Sequence, residues 1–504
     1  MLFAFCALLY ALSSMGRFNS TDGRDMYNTA QSLLLRHSLA ISPFVGTFVG
    51  RGGLSYAKYG SGQSLAELPL ALVDQAAHAL GLLTSAPQLF ASLTNAWITA
   101  AGVVVLYQIV RDLGSARRAA LATALAYAVT TPAWPYAKLD FSEPLLALSL
   151  LLAAHGAHRF GTTGRARWAL LAGAALGVAV LTKYAAAVLV PLFAVYMILA
   201  VRQHRALTRF WALRAAPAFG LPIAAGVALT LAVNWLRSGS PWITGYVDSE
   251  RPFNQSIPLT LHAGAALLAS PRYGLVFFAT PVLLAAAGFR AFRRRHPLEA
   301  WGVAALAGGM LLLYASYPAW YAGWTWGPRY LVPIVPFLML PAVEVFGAEG
   351  LWRHAAWWVR AALAAGLVEQ LLGVLVNYRA TYDLLPWAHP PTARIWEPWT
   401  SPLLEHVAFL PVSLLTNLGL RVPLSGITWD AVNYALGRLA EFFPFFWFQR
   451  LPQPIVALAV GALVAMPLLA GCGCELVRRM AALAAPDTDA TDVMAAMLPA
   501  VPPA

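Results

Sequence analysis

The chain has 504 residues, of which 59% are hydrophobic and only 11% charged, with a mean hydropathy of +0.63. A soluble domain carries about 25% charged residues, so this composition excludes a water-soluble globular protein and requires most of the chain to face lipid or other helices. The formal charge of +12 and pI near 9.8 do not indicate nucleic acid, because the arginines cluster in short loops between apolar runs, the pattern of cytoplasmic loops in a membrane protein.

In chain order, Met1–Met15 is short and apolar and lacks a basic leader or an A-x-A site. It reads as a first membrane helix rather than a cleaved signal, with a start further upstream left open. A long mixed loop follows, RFNSTDGRDMYNTAQSLLLRHSLAISPFVGTFVGRGGLSYAKYGSG, from Arg17 to Gly62. It holds Asp22 and Asp25, then Met26, Ala30, Leu33 and Leu34 at helical spacing, with Thr21 or Asp22 suited to cap that helix. A Gly-rich turn carrying Lys58 closes it. Next, Gln63–Leu83 holds Glu67, Asp74 and His78, which at 100° per residue lie within about 20° of one line. Such a helix lies in the interface or against protein more readily than it spans.

Runs long enough to span follow, among them Leu89–Val110, Ala215–Leu236 and Ala356–Val376. Basic loops at Arg111/Arg117/Arg118, Arg159/Arg165/Arg167, Arg202/Arg205/Arg209/Arg214, Arg290/Arg293/Arg294/Arg295, Arg353/Arg360 and Arg478/Arg479 are each separated by two apolar runs. They are expected in the cytoplasm. The outer loops are then Thr131–Glu143, the Lys183 turn, Asn234–Tyr273, Tyr317–Arg329 and Asn377–Leu451. Parity requires Gln63–Leu83 to be a surface helix, leaving about twelve (11–13) crossings and both ends cytoplasmic. The fold class is therefore an all-α polytopic membrane protein with amphipathic surface helices in its first outer loop.

Residues 1–376 form a transmembrane module that includes the first outer loop, 17–88. Residues 377–451 form an aromatic and proline-rich outer segment, whose Trp387, Trp396, Trp399, Trp429 and Trp447 read mainly as an interfacial belt. A last crossing occupies 452–475, and the Ala/Pro/Asp-rich tail 476–504 is expected to be disordered. Cys6, Cys472 and Cys474 make no disulfide framework or metal motif and read as small packing residues. No P-loop, dinucleotide fingerprint, zinc motif or Ser-His-Asp arrangement survives its context, and GTTGRAR at Gly161–Arg167 is a cytoplasmic loop.

Ionisable groups near a membrane are costly and are functional candidates for that reason. On the outer side, Asp22 and Asp25 come from the first loop, and Asp140 and Glu143, in KLDFSEPL, from the second. Lys58, Lys183, Arg272 and Arg329 bring positive charge to the same face. Carboxylates beside cations at one depth suit a reaction in which a base takes a hydroxyl proton while a phosphate leaves. Each has a structural alternative. Asp22 can be a helix cap, Asp140 and Glu143 can serve the helix that Pro144 opens, Lys183 can snorkel, and Arg329 can anchor at the interface.

At these residues the chain resembles the GT-C superfamily of polyprenyl-phosphate-dependent membrane glycosyltransferases, of the aminoarabinose-transferase and protein-mannosyltransferase type. TDGRDMYNTAQSL is similar to the family's first outer loop, with Asp22 matching its acid. Gly23 stands where the family often has Glu, and Tyr27 is one residue late, so Asp25 stays a rival. YAKYGSGQSLAELP resembles the stretch whose lysine meets the donor phosphate, here Lys58 without the following proline pair. LDFSEPL resembles the second-loop acidic motif, GVAVLTKYAAAVLVP the Lys-bearing turn, and WGPRYLVPIVPFL a late outer-loop motif that sets Arg329 near the lipid phosphate.

The resemblance implies a GT-C-like bundle in a bacterial inner or plasma membrane, with its site on the extracytoplasmic side. It implies inverting transfer of a sugar from a polyprenyl-phosphate donor to a glycan, lipid or protein acceptor, with Asp22 as base. Lys58, Lys183 and Arg329 would meet the phosphate. No nucleic acid is expected as a partner, and membrane lipid is. A Mg²⁺ or Mn²⁺ cofactor at Asp140 and Glu143 stays open. The competing readings are a transporter or flippase of lipid-linked sugars, which needs inverted repeats and charges at mid-membrane, and a non-catalytic membrane assembly subunit.

Overall fold

The computed structural model describes residues 1–81, 88–203, 209–247, 250–347, 356–379, 382, 392, 394–417 and 475. Most of the aromatic segment 377–451, residues 452–474 of the expected last crossing with Cys472 and Cys474, and the tail 476–504 lie outside the described residues. The chain is a helical integral membrane protein. Six helices among the described residues are long and apolar enough to cross a membrane: Ala91–Asp112, Tyr184–Gln203, Ala215–Ser238, Pro297–Ala315, Arg329–Gly347 and Trp357–Leu375. Shorter apolar helices occupy Leu2–Leu12, Ala166–Thr182 and Ile257–Ala269.

The long connection after the first helix carries its own secondary structure. After α1 (Leu2–Leu12) comes α2 (Thr21–Arg36). Its cap is Ser20, whose hydroxyl accepts the Gly23 N–H at 2.9 Å, and not Thr21 or Asp22 as their positions suggested. Ser20 is the better placed of the three because its backbone is still extended, which turns its side chain back over the free N–H groups of the first turn. Asp22 is thereby released from capping. The Gly-rich turn is an antiparallel hairpin, β1 (Thr47–Val49) with β2 (Ser55–Ala57), pairing Thr47 with Ala57 and Val49 with Ser55.

α3 (Ser61–Ala79) is the expected surface helix, and its polarity is turned inward. Gln63, Glu67 and Asp74 are buried, whereas Leu65, Leu72 and Val73 are exposed. A helix with polar groups against protein and apolar groups outward suits the lipid interface. Asp74 shows the use of the inner face: its carboxylate accepts the backbone N–H groups of Phe90 at 2.8 Å and Ala91 at 2.9 Å, where the next crossing begins.

Behind this platform stand α4 (Thr94–Asp112), α5 (Arg117–Thr130), the short α6 (Ala133–Lys138), α7 (Glu143–Thr163), α8 (Ala166–Thr182), α9 (Val190–Gln203) and α10 (Arg209–Ser238). α8 and α10 approach with backbones nearly touching: a Cβ on Gly177 would lie 2.6 Å from the Pro222 carbonyl, and one on Gly226 2.6 Å from the Gly177 Cα. Small residues that admit such contact are the usual means of holding helices together in lipid, where there is no hydrophobic drive between them. Their consequence is positional. The ends of α8 and α10, with Lys183 and Arg237, come out side by side beneath the hairpin. The exit of the hairpin is pressed onto the same place, since a Cβ on Gly62 would sit 2.2 Å from the Thr182 hydroxyl.

Candidate active site

Several segments of the chain meet at one cavity of about 560 Å³. Its lining includes Asp22 from α2, Lys58 and Tyr59 from the end of the hairpin, Lys183 and Tyr184 from the end of α8, and Arg329 and Tyr330 from the start of the Arg329–Gly347 helix. Tyr246, Glu250 and Arg251, from the loop that follows α10, complete the wall. Four of the eight ionisable residues singled out by sequence therefore share one space.

Arg329 is the hub. It is buried, its Nε donates to Glu143 Oε1 at 2.7 Å, and its Nη2 donates to Asp22 Oδ2 at 2.7 Å. Its guanidinium carbon lies 3.8 Å from the Phe141 ring centroid. A fork that engages two carboxylates while packing over an aromatic ring is what arginine offers and lysine does not. Lys183 Nζ donates to the same Glu143 oxygen at 2.7 Å, which ties it into the network and removes the snorkelling alternative. Glu143 is fully buried at the start of α7, with Pro144 in the first turn. Its role is to hold two cations in place rather than to face the cavity.

Asp22 also accepts the Tyr59 hydroxyl at Oδ1, 2.8 Å away. Burial pushes its carboxyl up, but Arg329, Tyr59 and Lys183 outweigh that and hold it below the usual carboxylate range. Asp22 is thus ionised at neutral pH. Its side chain keeps 17% exposure, so the group remains reachable from the cavity. Lys58 pairs with Glu250, and its Nζ lies 5.5 Å from the Tyr246 ring centroid.

The other candidates lie apart. Asp25 is buried behind the cavity wall, and neither carboxylate oxygen has a hydrogen-bond partner among the described residues. Burial and the charge of Asp22 push it up to about 6. Asp140, expected beside the reacting acids, is an anchor for α2: its Oδ2 accepts the backbone N–H groups of Asn19 and Ser20, each at 2.9 Å. This also accounts for Gly23, since a Cβ there would fall 2.2 Å from that Asp140 oxygen. Arg272 is buried with its Nη1 3.4 Å from the Thr400 carbonyl oxygen and its guanidinium over the Tyr273 and Tyr382 rings. It does not line the cavity.

Of the two acids at which a divalent ion stayed open, each keeps one buried oxygen, Asp140 Oδ1 and Glu143 Oε2, without a hydrogen-bond partner among the described residues. Asp140 commits Oδ2 to two N–H groups and Glu143 commits Oε1 to two cations. No group of three or more His, Cys, Asp or Glu side chains is disposed to hold a metal among the described residues. Residues that pattern reading did not single out are Tyr59, Tyr184, Tyr246, Glu250 and Arg237. Only Tyr59 and Tyr184 had a signal, each directly following a candidate lysine.

Residues 78–229 match the model of a family described as dolichyl-phosphate-mannose-protein mannosyltransferase. This match supports the resemblance to the GT-C superfamily of polyprenyl-phosphate-dependent enzymes, and with it a membrane glycosyltransferase. No curated protein matches the chain by sequence. Among solved structures, the chain is similar to ArnT from Cupriavidus metallidurans bound to undecaprenyl phosphate, at 18% identity and a TM-score of 0.46, over 92% of this chain and 79% of that one. It is also similar to the oligosaccharyltransferase of Archaeoglobus fulgidus in the apo form, at 12% identity and a TM-score of 0.42, over 88% of this chain and 60% of that one.

Proposed function

We propose that this chain moves a sugar from a polyprenyl-phosphate donor to an acceptor hydroxyl at the outer face of the membrane, with inversion at the anomeric carbon. The observation that carries the reading is the meeting of Asp22, Lys58, Lys183 and Arg329 on one cavity wall. A base and several phosphate-binding cations are the two things such a transfer needs.

The acceptor oxygen attacks the anomeric carbon from the face opposite the phosphate. The bond from that carbon to the phosphate oxygen breaks, and the acceptor proton passes to the Asp22 carboxylate. Arg329 and Tyr59 hold that carboxylate at a fixed place through two contacts, at 2.7 and 2.8 Å. Lys58 and Lys183 meet the negative charge that grows on the leaving phosphate, a role worth roughly 3 kcal/mol for each well-placed donor. Because Glu143 already holds Lys183 and Arg329, little reorganisation is left for the moment of reaction. The rings of Tyr59, Tyr184 and Tyr246, which meet edge to face at 6.1–6.4 Å, line the cavity and offer the sugar aromatic surface. Residues 1–376 make up the catalytic membrane module in this reading, in a bacterial inner or plasma membrane.

The test is mass spectrometry of the purified protein incubated with candidate polyprenyl-phosphate sugars and acceptors. Loss of the donor with a matching gain in acceptor mass supports transfer. Donors that stay intact but cross the bilayer of proteoliposomes would establish the flippase instead.

A further inference from the structure

We propose that Arg237 is a positioning residue that sets Lys58 and the start of the Tyr184 segment in the cavity wall. This rests on the reading of the cavity as a phosphate site. Arg237 lies in the last turn of α10 and is 4% exposed. Its Nη1 donates to the carbonyls of Ala57 at 2.6 Å and Tyr59 at 2.9 Å. Its Nη2 donates to the Tyr184 hydroxyl at 2.6 Å and to Asn234 Oδ1 at 2.7 Å.

The two carbonyls are those on either side of Lys58. Gripping both with one planar group fixes the peptide before the lysine and the one after Tyr59, and so restrains the short stretch of backbone from which the Lys58 side chain leaves. The second nitrogen reaches the residue directly after Lys183. One guanidinium thus joins the segments that carry both cavity lysines, and α10 supplies it from outside the cavity lining. The docking is independently enforced by the backbone. A Cβ on Gly50, in the hairpin turn, would lie 2.1 Å from the Arg237 carbonyl oxygen, and the Arg51 guanidinium stacks over Trp235, 5.1 Å from the ring centroid.

Among the described residues the charge of Arg237 is held by neutral groups alone: no carboxylate pairs with it, and all four acceptors are neutral. A buried cation is costly without a partner anion, and a neutral donor would serve if closing the turn were the whole task. Only the planar fork with several fixed donors reaches four acceptors on three segments at once.

The experiment measures binding of a polyprenyl phosphate, without sugar, to the full chain in detergent. It compares wild type, Arg237→Gln, Lys58→Gln and the double variant, with size-exclusion profiles as the folding control. The expected loss for Arg237→Gln is about tenfold, the worth of one charge-assisted hydrogen bond. Because Arg237 acts through Lys58, the double variant binds no more than about threefold more weakly than Lys58→Gln alone. Arg237→Lys, which keeps the charge but not the fork, serves where Arg237→Gln does not fold, and is expected to lose severalfold. Unchanged binding in either Arg237 variant, or losses that multiply in the double variant, would overturn the inference. Wild type that fails to bind any polyprenyl phosphate would instead remove the phosphate reading beneath it.

Discussion

Replacing Asp22 by Asn separates the chemistry of the cavity from its architecture. The amide is the same size as the carboxylate, its oxygen can still accept from Arg329 or Tyr59, and the cap of α2 belongs to Ser20. Arg329 keeps its contact with Glu143 at 2.7 Å. The change therefore leaves no cation stranded, and the loss of stability is expected to stay within about 1–3 kcal/mol, the range for weakening hydrogen bonds to a charged group. Turnover should fall by roughly 10²–10⁴-fold, the contribution of a positioned general base. Binding of the donor should hold or tighten, because one negative charge leaves a cavity that must accept a phosphate. The assay is single-turnover sugar transfer beside a direct measurement of polyprenyl-phosphate affinity. Wild-type turnover would move the base elsewhere. A parallel collapse of donor affinity and turnover would make Asp22 a structural anchor of Arg329, and the mechanism would fail.

Lys58→Gln should raise the donor KM about tenfold, the loss expected when one charge-assisted hydrogen bond to phosphate is removed, and a KM unchanged within error would take Lys58 out of the phosphate site. Glu250→Gln should do the opposite, since Glu250 is the carboxylate now paired with Lys58; severalfold tighter donor binding is expected, and weaker binding would show that Glu250 helps to place the lysine. Asp25 gives a pH signature. Its carboxyl is pushed up to about 6 by burial, above the unfolded value near 3.9. Its contribution to stability is whole below the unfolded value and is lost as pH rises through about 6. Asp25→Asn should then match or fall short of wild type in thermal unfolding near pH 4 and exceed it by up to about 2–3 kcal/mol above pH 7. An advantage that does not change with pH would mean that Asp25 carries no such penalty.

The parts of this protein that could be read from sequence are those written in local pattern. Arginine spacing and hydropathy gave the membrane class. The inward-turned polarity of α3 was visible as Gln63, Glu67 and Asp74 in an otherwise apolar stretch. Asp22, Lys58, Lys183 and Arg329 stood out because a charge beside lipid needs a reason. The division of labour among the acids could not be read, because it depends on contacts across more than a hundred residues. Asp140 and Glu143 are three residues apart and look alike in KLDFSEPL. One binds two backbone N–H groups at the entry to α2, and the other binds Lys183 and Arg329. Asp22 and Asp25 are likewise three apart on one helix, yet one borders the cavity and the other is sealed behind it. Arg237 was hidden for a related reason. It lies at the end of a long apolar run, where an arginine ordinarily marks the membrane boundary, and contacts distant in sequence bring it under the hairpin: the close approach of α8 and α10 at Gly173, Gly177 and Gly226, and that of Gly50 to the Arg237 carbonyl. Glycines with no chemistry of their own thus help to set where the charge of Arg237 is delivered. A bulkier residue at Gly177 should for that reason impair the site from a distance, through the backbone that carries it.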